Sequence, residues 1–238
     1  MRYLLVCFTI ALVTPVSGQC QHRFSFPDLD AKMISVWSAC LNGDTSGLEK
    51  NLAKASTSWD LVRAGIKQLD IVHFSSSDFI AEVDAMMHDI NIALEANDIN
   101  CLEQMSYEFM AAFREVRMDF TGDQYPLDEL FLALERYEEV HYAVDDPLLG
   151  LYEWNQFIRL FTDFKEQFDR YCRSGEAGFK NGDHVLYSLM VQRVRDCSAK
   201  FESALNTAMQ NEFVAPCDDT HQALIDLIKL YTTPRLTL

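Results

Sequence analysis

Residues 154–171 read WNQFIRLFTDFKEQFDRY, and this stretch decides the fold. Its aromatic positions Phe157, Phe161, Phe164, Phe168 and Tyr171 advance by alternating steps of four and three. Side chains at those steps share one face of an α-helix, whereas a strand would alternate every second residue. Asp146-Pro147 supplies a favoured N-cap and first-turn pair upstream, so the spacing predicts a helix over 147–173.

The same period recurs on both sides. Leu48, Leu52, Ala55, Trp59, Val62, Ile66 and Leu69 make one stripe, preceded by Ser46 and Glu49 at capping-box spacing. Leu102, Met105, Phe109, Phe113, Val116 and Phe120 make a second. A third runs through Leu186, Leu189, Met190, Val194, Cys197, Phe201, Leu205 and Met209, after Asn181-Gly182-Asp183. Shorter helices are expected at 28–41, 78–96, 126–144 and 219–232, with every proline beyond the leader at or near a helix end. No alternation of period two is bounded by hairpin turns. The expected fold is all-α, an antiparallel bundle of about seven or eight helices. No Gly/Ser-rich or Pro-rich linker divides 19–238, which reads as a single domain.

Residues 1–18 carry a basic Arg2, an apolar Leu4–Val13 run and a Val16-Ser17-Gly18 end, the pattern of a cleaved secretory signal peptide. Pro15 and Ser17 interrupt the run before it reaches the length of a membrane anchor. The expected product is secreted, begins at Gln19 and has no anchor. Export leaves an even set of cysteines, Cys20, Cys40, Cys101, Cys172, Cys197 and Cys217, and an even set in an exported chain suggests disulfides. Cys197 stands about 21 Å along its helix, too far from Cys172 in a plain hairpin. Cys217, past the far end of that helix, reads as distant from both. The expected bridges therefore tie the first half of the chain to the second.

Charge is unevenly distributed. The chain carries a formal charge of -16, with 36 acidic and 20 basic residues. Residues 78–153 hold nineteen of the acids and only Arg114, Arg117 and Arg136 as bases, together with five of the nine methionines. Such a balance excludes an electrostatic grip on nucleic-acid phosphates. It suits a cationic or amphipathic protein or peptide, met by acids around adaptable Met contacts such as Met105 and Met110.

Motifs for chemistry are sparse. Glu138 and His141 form one ExxH without a second, and Asp84 with His88 forms an isolated i, i+4 pair, so no metal site is assigned. Asn42, Asp44, Ser46 and Gly47 resemble a fragment of a calcium loop, but Lys50 and Ala53 stand at offsets nine and twelve. Asp119, Asp123 and Asp128 cluster near Gly122 without EF-hand spacing. No GxSxG, GxxxxGK[ST] or GxGxxG occurs, and no cofactor is expected.

Function is therefore expected to be secreted, non-catalytic binding through the acidic 78–153 region. The alternative is a helical carrier holding a small apolar ligand against Trp154, Phe157, Phe161, Phe164 and Phe168. An extracellular enzyme of unrecognised type is the third reading, and the sequence leans away from it.

Overall fold

The structure is a computed structural model, and it describes residues 26–67, 76–121, 125–145, 154–175, 183–207 and 210–232. The signal segment 1–18, Cys20, Leu69, the Asp146-Pro147 helix opening and Met209 lie outside the described residues. Within them the chain is all helical, with no strand. Eight α-helices follow one another: α1 (Phe26–Leu41), α2 (Leu48–Ile66), α3 (Ser76–Glu95), α4 (Ile99–Thr121), α5 (Pro126–Asp145), α6 (Trp154–Gly175), α7 (Asp183–Leu205) and α8 (Gln210–Ile228). A short 3-10 turn, Lys229–Thr232, closes the series.

Local chemistry explains the boundaries. α1 stops where Gly43 takes a left-handed φ of 62° and Gly43 and Asp44 donate back to the carbonyls of Cys40 and Ala39. The expected capping box at Ser46 and Glu49 does not form. Gly47, with φ 86°, is the N-cap of α2, and Asp44 instead accepts from both the amide and the hydroxyl of Ser46. Those two hydrogen bonds, side chain first, hold the Asp44 carboxyl below its ordinary range. Asn97, at φ 53°, ends α3, and the Asp98 carboxylate accepts the Cys101 amide at 3.0 Å to start α4.

Two further expectations fail on packing. Pro216 sits inside α8, which begins at Gln210 rather than near 219. Phe213, Cys217, Thr220 and Leu224 are all buried, and this i, i+4, i+7 stripe holds the helix through the proline. In α7, Leu186 and Leu189 face solvent, and the core stripe runs through Tyr187, Val191, Val194, Phe201 and Leu205. A hydrophobic residue one place along from Leu186 took the inward position because its ring meets Tyr171 at 6.1 Å.

The helices pack in two sets with the same pairing. α1 lies on α2 and α4, with α3 on α4; α5 lies on α6 and α8, with α7 on α8. Trp37 and Tyr107 meet Phe131 across the junction at 6.2 and 5.9 Å, and Arg114 of α4 binds Glu135 of α5 at 2.6 Å. The 3-10 turn rests on α1 and α8, so one apolar cluster runs through both sets.

No disulfide joins Cys40, Cys101, Cys172, Cys197 or Cys217. Phe161 meets Phe201 at 5.0 Å and Tyr171 meets Tyr187, so α6 and α7 are antiparallel and Cys172 and Cys197 stand at different heights. The reading of Cys217 as remote from Cys197 is overturned. α8 folds back along α7, with Arg193 on Asp226 at 2.7 Å and Phe201 against Phe213 at 6.2 Å, which brings Cys217 to the level of Cys197.

Candidate functional site

Four helices each contribute one short stripe to an open cleft of about 820 Å³. Trp37 and Leu41 come from α1, and His221 and Ile225 from α8, both pairs at i, i+4. α4 supplies Glu103, Gln104, Tyr107 and Glu108. α5 supplies Glu135, Glu138, His141 and Tyr142. These intervals place each set on one helical face. Among the described residues four carboxylates line the cleft, and no Lys or Arg does.

The α5–α8 wall is a crossed pair of acid–imidazole contacts. His221 Nε2 lies 2.7 Å from Glu138 Oε1, and His141 Nε2 lies 3.0 Å from Asp218 Oδ1. The two imidazoles stack with centroids 4.7 Å apart and planes 29° apart, and the Tyr137 ring lies parallel to His221 beneath them. Glu138 and His141 are the ExxH of the sequence. Its partner is Asp218-x-x-His221, which a search spelled with glutamate passes over. The pairs cross between helices instead of converging, and among the described residues no group of three or more His, Cys, Asp or Glu is placed to hold a metal ion.

The other acids of the cleft differ in how they are matched. Glu135 accepts from Arg114, whose side chain is nearly buried. Glu108 accepts from the Gln104 amide at 2.9 Å. Glu103 is half-buried, and its pKa is raised, first by loss of solvent, then by the negative charge of Glu138, with partial relief from His221. Burial, followed by the charges of Glu135 and Glu138, likewise pushes the Tyr107 hydroxyl well above its ordinary range. Cys40, behind this wall, is raised to about 11 by burial and by Glu103. A net negative lining thus sits over an aromatic and aliphatic floor, where the Trp37 and Tyr107 rings lie 6.0 Å apart.

The residues expected from sequence to contact a ligand fall elsewhere. Phe157, Phe161, Phe164 and Phe168 are buried, and Trp154 is half-buried against Phe157 and Phe213. Their rings pack on Tyr137, Phe201 and Phe213. Met110 is in the core, and Met105 is half-buried with its sulfur 3.7 Å from Cys101. None of these lines the cleft. Asp84 is not paired with His88, which is exposed; it accepts from Trp59 at 2.7 Å and Arg63 at 3.1 Å. Eight of the residues that line the cleft, four of them acidic, come from segment 78–153.

Two smaller recesses have mixed charge. One, near Asp196 and Asp219, includes Arg193 and Lys200; the other sets Glu129 beside Arg170 and Arg173. No helix among the described residues is long and apolar enough to cross a membrane. Comparison with protein-family models, with curated proteins and with solved structures gives no match.

Proposed function

We propose that this chain is a secreted, non-catalytic binding protein whose α1–α4–α5–α8 cleft receives a cationic, partly apolar partner. One observation carries the reading: among the described residues, four glutamates and no lysine or arginine line the recess, over a floor of Trp37, Tyr107 and Ile225. A cation entering there meets a field focused by low-dielectric walls, while its apolar part is removed from water on the floor. Export is the role that residues 1–18 give the chain. The carrier alternative draws no support from the aromatic row of α6, whose rings contact one another and the rings of α5, α7 and α8.

Charge reversal tests the reading. A fluorescent oligolysine is titrated onto the protein, its Glu103→Arg variant and a Glu82→Arg variant altered on the exposed face of α3. The cleft variant is expected to lose affinity on the order of tenfold or more. The α3 variant is expected to lose little, and binding by the unaltered protein is expected to weaken steeply between roughly 0.05 and 0.2 M salt. Equal losses in the two variants, or binding indifferent to salt, would sink the reading.

A further inference from the structure

Resting on that reading, we infer that the cleft takes one compact organic monocation, an ammonium joined to a flat apolar body, with Glu103 as its charge partner. The contacts of the wall acids single out one of them. Arg114 holds Glu135, His221 meets Glu138, and the Gln104 amide serves Glu108. Glu103 lines the same cleft half-buried, with no such hydrogen-bonding partner among the described residues. An ammonium seated against that half-buried carboxylate supplies the one matching charge.

The floor sets the rest of the ligand. Trp37, Leu41 and Ile225 offer apolar surface, and the Trp37 and Tyr107 rings flank it at a 40° tilt. An ammonium near aromatic faces gains cation–π attraction as well as its ion pair. A bare metal ion fits poorly, because hard cations require several oxygen ligands together, and none of the described acids and histidines converge in threes. At about 820 Å³ the cleft also falls within the size range of small-molecule sites.

Calorimetry with 2-phenylethylamine tests this against two partial probes, 2-phenylethanol and ethylamine, and against oligolysine. The amine is expected to saturate one site, and each partial probe to bind on the order of tenfold to a hundredfold more weakly, since each lacks the charge or the ring. Glu103→Gln, which keeps size and one hydrogen-bonding end, is expected to lower affinity for the amine by a similar factor. Full binding by that variant, or equal binding of the alcohol, overturns Glu103 as the anchor. The alcohol comparison uses unaltered protein, so it decides the point even if the variant fails to fold. No binding of the amine by a protein that still takes oligolysine through the cleft overturns this inference alone. Failure of both ligands overturns the binding reading with it.

Discussion

Glu103 is costly to the fold in the absence of a ligand. Its carboxyl is partly desolvated and faces Glu138, so the folded chain holds its proton more tightly than the unfolded chain does. A native state that binds the extra proton loses stability as pH rises from the ordinary value of 4.5 through the raised one, and the loss persists at neutral pH. Glu103→Gln removes that penalty. Calorimetric melting is expected to give the variant the higher transition temperature at pH 7, with the gap closing near about pH 4. A lower transition at pH 7 would show that Glu103 is satisfied in the folded state. The same substitution is expected to weaken amine binding, a trade of stability for recognition common at functional sites. Little of this residue's role is legible in the sequence. Glu103 is one of nineteen acids in 78–153, and its neighbours Glu138 and His221 are brought to it only by packing.

Helix α8 shows how a local breaker is overruled. Pro216 has no amide to donate, so it removes one hydrogen bond from the interior of the helix. Nearby groups brace this turn. The Thr220 hydroxyl donates to the Pro216 carbonyl at 2.9 Å, and the buried Tyr137 hydroxyl of α5 donates to the Cys217 carbonyl at 3.0 Å. Tyr137→Phe is expected to cost about 1 kcal/mol, a fall of roughly 2–4 °C in melting temperature. An unchanged transition would show that α8 does not depend on that bond. From sequence alone Pro216 reads as a boundary, and the stripe Phe213, Cys217, Thr220, Leu224 that carries the helix past it is interrupted by the polar Thr220. On α7, apolar residues on two faces, Leu186 and Tyr187 among them, satisfy more than one helical stripe. Only the presence of Tyr171 opposite decides between them.

At the scale of the molecule, the helical class and the approximate number of helices among the described residues follow from periodicity, because a helical stripe is written into neighbouring residues. Which helices pair is not, because ridges and grooves of many apolar faces are interchangeable until all are in place. The α6 row lies at the heart of the second set. Phe164 is fully buried against Tyr137, with ring centroids 4.7 Å apart. Phe164→Ala is expected to cost roughly 3–5 kcal/mol, read as a lower denaturant midpoint; a loss well under about 1 kcal/mol would mean the core closes over the gap. The two sets share one pairing scheme, yet α1 takes its final neighbour from residues 229–232 at the other end of the described chain. During synthesis α1 therefore carries an unsealed flank until Lys229–Thr232 emerge. A premature stop just ahead of Lys229 would release a product with every described α-helix and bare apolar surface on the first, a substrate for quality-control proteases rather than a working protein.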